Sequence, residues 1–185
     1  MSDGLSDNYF ELFGLAPRYR IDKDALEQRY RVFQRRVHPD RYASASDQER
    51  RFAMQQAAQI NEAYRVLRDP IARARYLLEQ RGHEFQDQQN THQDPEFLME
   101  QIELREALAE VRGEDNVLQA LADLMERIEQ RVASLTENVA RLLDDGKSDS
   151  AADAVAAVQR MQFFRRLSEE ASELEIELQE ELGDF

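Results

Sequence analysis

Between residues 116 and 143 the apolar side chains fall at Val117, Leu121, Leu124, Ile128, Val132, Leu135, Val139 and Leu142, a nearly unbroken heptad spacing. A stripe of that length is buried only by other helices lying along it, so the chain is committed to helix-on-helix packing. Two neighbouring stretches supply the partners. Residues 94–112 open on Asp94-Pro95, an N-cap followed by an N1 proline, and close before Gly113. From near Ser148 onward, Val155, Val158, Phe164, Leu167, Ala171, Leu174 and Leu178 repeat the helical period, and Asp144-Asp145-Gly146 breaks the chain between the two long helices. Short connections between three helices predict an antiparallel three-helix bundle over residues 94–185.

The first 82 residues are also helical in pattern, on a smaller scale. Asn8-Tyr9-Phe10-Glu11-Leu12-Phe13 reads as a short apolar helix closed by Gly14 and Pro17. Asp22 caps a second helix with Leu26, Tyr30, Phe33 and Val37 on one face. Ser46-Asp47-Gln48-Glu49 is a capping box for a third helix with the stripe Ala53, Ala57, Ile60, Tyr64 and Leu67. Asp69-Pro70 starts a fourth helix that carries Leu77 and Leu78 and ends near Gly82. Residues 83–93 are polar, rich in glutamine and without period, and are expected to be a linker. The expected organisation is therefore all-α: a helical unit over 1–82, a linker over 83–93 and a bundle over 94–185.

Charge separates the same two units. Residues 1–80 hold 14 Lys/Arg against 12 Asp/Glu, whereas residues 81–185 hold 10 against 26, within a net charge of −14. So acidic a second half repels phosphate and argues against nucleic acid as the main partner. With no cysteine, disulfides, thiolate metal sites and thiol catalysis are excluded. None of the three histidines, His38, His83 and His92, has a partner at i+3 or i+4 to make a metal pair, and no metal or cofactor is expected. There is no glycine-rich phosphate loop and no nucleophile elbow, so an enzyme is not expected either. The N-terminus lacks the basic and apolar regions of a signal peptide, and no apolar run approaches a membrane span, which predicts a cytoplasmic chain with no membrane contact.

The second and third helices are joined by a loop containing Val37-His38-Pro39-Asp40-Arg41. Pro39 disfavours the α conformation at His38, so the helix must stop there, and the Asp40 carboxylate can fold back onto backbone N–H groups. At about 100° per residue, Arg31 and Arg35 point away from the apolar stripe, with Arg29 and Arg36 on one flank. Taken alone, these arginines read first as a solvated face and the loop as ordinary turn chemistry.

Context decides between those readings. Tyr9-Phe10-Glu11-Leu12-Phe13-Gly14-Leu15, the segment from Tyr30 to Asp40, and Ile60-Asn61-Glu62-Ala63-Tyr64-Arg65-Val66-Leu67 follow in an order and spacing that resemble the J-domain. This module stimulates ATP hydrolysis by DnaK-type chaperones. The resemblance implies contacts with the chaperone's ATPase domain from His38, Pro39 and Asp40, from Arg31 and Arg35, and from Arg41 as a further candidate.

The helix after residue 94 carries one apolar stripe too many. Phe97, Gln101, Leu104, Leu108 and Val111 share a face that serves as the bundle seam. Leu98, Ile102 and Met99 lie about 100°, 140° and 200° from Phe97, with Glu106 and Glu103 at about 180° and 240°. This is an apolar patch edged by acids, covered either by a partner or by the chain itself. Phe97-Leu98-Met99-Glu100-Gln101-Ile102-Glu103-Leu104-Arg105-Glu106, together with Asp69-Pro70, Arg73-Ala74, Tyr76-Leu77-Leu78 and the acidic last helix, resembles the HscB-type J-proteins of bacterial iron–sulfur cluster assembly.

That resemblance implies an adaptor that binds an IscU-type scaffold protein and presents it to an HscA-type chaperone, with ATP and cluster held by the partners. The implied scaffold contacts are Leu98, Met99, Ile102, Glu103, Glu106 and Phe163. Phe164 lies about 100° from Phe163, and either ring could face the core. Ile102 stands where leucine is more usual. The cysteine zinc site of eukaryotic relatives is missing, which favours the bacterial type. A monomer is expected, because the heptads are used inside one bundle. Two rivals stand beside this reading: a J-protein with a different client, and a helical interaction protein without chaperone function.

Overall fold

The computed structural model describes residues 5–38, 42, 45–83, 94–145 and 151–183. The chain divides into two compact units, Met1–Gly82 and His83–Phe185. Every described element is helical, as the periodicity requires.

The first unit contains α1 (Tyr9–Leu12), α2 (Lys23–Arg36), α3 (Asp47–Arg68) and α4 (Pro70–Gln80). Each start is fixed by a side-chain cap, and Asp22, Ser46 and Asp69 are the expected ones. The Asn8 side chain accepts from the Phe10 and Glu11 N–H groups, Asp22 from Ala25, and Asp69 from Ala72 at 2.7 Å. Ser46 and Glu49 form the reciprocal capping box at the head of α3. Two glycines end helices with positive φ, Gly14 at 55° after α1 and Gly82 at 81° after α4.

The core of this unit gathers Phe10, Phe13, Leu26, Ile60, Ala63, Leu67, Leu77 and Leu78. Of the α2 stripe only Leu26 is fully buried; Tyr30, Phe33 and Val37 are half-buried. α2 is held instead by ring contacts. Tyr30 stacks on Tyr64 of α3 at 3.8 Å between centroids, and Phe33 meets Phe13 edge-on at 5.7 Å. At the α3–α4 corner the buried Arg73 guanidinium donates to the Leu67 carbonyl and lies over the Tyr19 ring at 4.9 Å. It thereby satisfies a carbonyl of the last turn of α3, where positive charge is also favoured.

The second unit contains α5 (Pro95–Glu110), a 3₁₀ turn (Val111–Gly113), α6 (Val117–Asp144) and α7 (described over Ala151–Gly183). Leu121, Leu124, Ile128, Leu135, Val139 and Leu143 of α6 pack against the α7 side, where Ala154, Val158, Met161, Phe164, Leu167 and Ala171 are buried. α5 is tied to both long helices. Asp94 caps α5 through the Phe97 N–H and pairs with Arg160 of α7, while Glu100 takes a two-pronged bond from Arg131 of α6 at 2.8 and 3.1 Å. After the turn, Arg112 bridges Glu177 and Glu181 near the end of α7, and those carboxylates, Glu181 foremost, raise the guanidinium pKa.

Candidate docking surfaces

The first surface is the outward face of α2. The helix ends at Arg36; the Val37 N–H closes it on the Phe33 carbonyl at 3.1 Å, and His38 follows as an exposed residue. Arg31 and Arg35 are exposed, and with Gln34 and His38 they line one open groove. Arg31 pairs with Glu27 one turn earlier while its side chain stays two-thirds exposed (66%). The other two arginines point elsewhere. Arg29 donates to the Phe13 carbonyl beside Gly14, where a Cβ would stand 3.2 Å from its Nη1, and Arg36 lies over the Phe33 ring at 6.0 Å.

The structure therefore brings together three of the expected chaperone-contact residues, Arg31, Arg35 and His38. Pro39, Asp40 and Arg41 lie outside the described residues. Gln34 was not anticipated, although its spacing of i+3 from Arg31 and i−4 from His38 places it between them.

The second surface is the far side of α5. Phe97 and Leu104 turn inward, whereas Leu98, Met99 and Ile102 are 40%, 55% and 42% exposed. Glu103 and Glu106 are exposed beside them. Met99 and Glu103 also border a groove lined by Glu96, Glu100, Arg131 and Arg160. The inward side chains explain why the ridge stays outside: α5 is already anchored through Phe97 and its two ion pairs, and one buried face is all such a helix needs.

Phe163 is placed differently from the other expected scaffold contacts. Both rings of the Phe163–Phe164 pair are buried, at 4% and 1% exposure, so neither stands out as an open contact. Phe97 meets Phe163 edge-on at 5.7 Å and Phe164 at 6.4 Å, and the two neighbours touch each other at 5.3 Å. α7 is covered from two directions, by α5 and by α6, and so buries a wider arc than a single stripe. Arg105, absent from the expected site, lies over the Phe163 ring at 5.7 Å.

Structural contacts shift several titrating groups: the Glu62 pKa is lowered by the Arg65 hydrogen bond, that of Glu49 by Ser46, and that of Tyr9 is raised mainly by burial. Among the described residues no cluster of three or more His, Asp or Glu is placed to hold a metal, and no helix is long and apolar enough to cross a membrane.

Two family models match separate parts of the chain. The DnaJ domain family model matches residues 8–76, and that of the HSCB C-terminal oligomerisation domain matches residues 93–172. A co-chaperone protein HscB homolog of Vibrio vulnificus is 43% identical over 94% of this chain and 97% of its own length. One from Bordetella avium is 46% identical over 89% and 95%. The solved structure of chaperone HscB from Vibrio cholerae superposes with a TM-score of 0.84 at 36% identity, covering 92% of this chain and 99% of that one. Human co-chaperone HscB gives 0.85 at 27% identity, covering 95% and 86%. With a J-domain hairpin at one end of the sequence, an HscB-type bundle at the other and relatives matching both together, the chain belongs to the HscB family of J-domain co-chaperones.

Proposed function

We propose that this protein binds an IscU-type iron–sulfur scaffold protein on the outer face of α5 and delivers it to an HscA-type chaperone in the cytoplasm. Its J-domain then stimulates that chaperone's ATPase. The observation that carries the cargo half is the exposure of Leu98, Met99 and Ile102 on a helix whose opposite face is filled. Each is partly covered already, so completing its burial contributes about 1 kcal/mol, less than the 1.5–3 kcal/mol of a fully exposed side chain. Glu103 and Glu106 at the edge select a partner with basic residues around an apolar patch.

The chaperone half is supported by the groove that joins Arg31, Arg35 and His38, with Pro39, Asp40 and Arg41 continuing it in sequence. Stimulation of hydrolysis requires these groups to contact the two states of the chaperone unequally. Phe163 serves the scaffold site from beneath the ridge. Residues 83–93 act as the linker between the two functions.

Titration of a purified IscU-type scaffold against wild-type and Leu98→Ala/Met99→Ala protein tests the cargo site. A Kd raised about tenfold or more supports it; an unchanged Kd refutes it. The protein is further proposed to act as a monomer, since the apolar stripes of α6 and α7 are spent on each other. The description of the matched C-terminal family as an oligomerisation domain favours a second reading, in which the α5 ridge joins two copies. Sedimentation velocity of the wild type and the same double variant separates the two.

A further inference from the structure

We infer that Arg105 is a displaceable cover over Phe163, and that docking on α5 swings its guanidinium aside to extend the apolar ridge by one aromatic ring. The inference rests on the reading of α5 as the scaffold-docking face. On that helix Leu98, Ile102 and Arg105 fall within about 60° of one another, so Arg105 continues the line of the two exposed apolar side chains.

Its surroundings set it apart from other arginines of the bundle. Arg112, Arg131 and Arg160 are each held by carboxylates. Arg105 is exposed, and among the described residues its one contact of this kind is the face of Phe163, 5.7 Å from the ring centroid. The inner neighbours of that ring are Phe97 and Phe164, both edge-on, leaving it 4% exposed. An arginine held only by a ring face at the surface is held weakly, and exposed side chains change rotamer on the nanosecond scale. Once it moves, the ring joins Leu98 and Ile102.

A covered site binds with an apparent affinity reduced by the fraction of time it is open. The test is a double-mutant cycle with purified IscU-type scaffold, using Arg105→Ala, Phe163→Leu and the pair, each checked for an unchanged thermal midpoint of the bundle. Removing the cover is expected to tighten binding about threefold or more in the wild-type background and to do nothing in the Phe163→Leu background. Binding that is unchanged or weakened by Arg105→Ala, or tightened equally in both backgrounds, overturns the inference. A second measurement needs no partner: relaxation of the Phe163 ring protons by a soluble gadolinium chelate. It should rise several-fold in Arg105→Ala, and an unaltered rate removes the cover. Should wild-type protein not bind the scaffold at all, the docking reading fails while the relaxation measurement still judges Arg105.

Discussion

The outer faces of α2 and α5 are both helix surfaces left over after the core is filled, yet they are built from opposite materials. On α2 the groove is lined by Arg31, Gln34 and Arg35, with His38 just past the helix end, so a contact there would depend on charge and on the loop that follows. On α5 they are Leu98, Met99 and Ile102, with acids only at the margin. A charged face attracts from a distance and releases readily, which suits a contact renewed with each ATP cycle. An apolar ridge holds by area, which suits retention of a cargo. The difference between the faces is thus a difference in what each can do, and it can be tested by disturbing one while watching the other.

The largest expected effect is that of His38→Gln, which should abolish most of the stimulation of an HscA-type ATPase in single turnover, about tenfold or more. Its scaffold affinity should stay within about twofold of wild type, because the two faces belong to different compact units. Next, Leu98→Ala/Met99→Ala should weaken the scaffold by about tenfold or more while leaving scaffold-independent ATPase stimulation intact. Loss of both readouts in either variant would break the comparison. A smaller effect follows from salt. Raising ionic strength screens exposed charges, so the concentration needed for half-maximal ATPase stimulation should rise several-fold, with scaffold affinity changing less.

The smallest effect concerns the support of the proposed chaperone face. Glu49 is held below the ordinary glutamate range by hydrogen bonds from the Ser46 side chain and backbone. A lowered folded pKa contributes stability that is present above the unfolded pKa and lost as pH falls through the folded one. Hydrogen exchange at the head of α3 should therefore be faster in Glu49→Gln than in wild type at neutral pH. The two should converge in acid. A gap that persists unchanged below the glutamate range would contradict the capping-box origin.

Local signals were readable in the sequence because they act over three or four residues. Asp22, Ser46 with Glu49, Asp69-Pro70 and Asp94-Pro95 each start the helix they precede. The α5 ridge was readable for the same reason, since an apolar residue on the wrong side of a helix is a matter of angle. What periodicity could not give is contact between elements. Phe163 and Phe164 differ by one position, and only the joint cover of α5 and α6 buries both. A helical wheel puts Arg29 on the flank of α2 but does not show that its guanidinium is taken up by the Phe13 carbonyl. Arg73 has a surface-type side chain but is buried, because α3 ends where its guanidinium can reach.

Trans-complementation tests most directly whether one molecule must carry both faces. An HscA-type chaperone and an IscU-type scaffold are given wild-type protein, His38→Gln, Leu98→Ala/Met99→Ala, or an equimolar mixture of the two variants, and scaffold-dependent ATP turnover is followed. The mixture should do no better than the ridge variant alone, because the cargo sits on one molecule and the active J-domain on another. Recovery of the wild-type rate by the mixture would contradict delivery by a single chain.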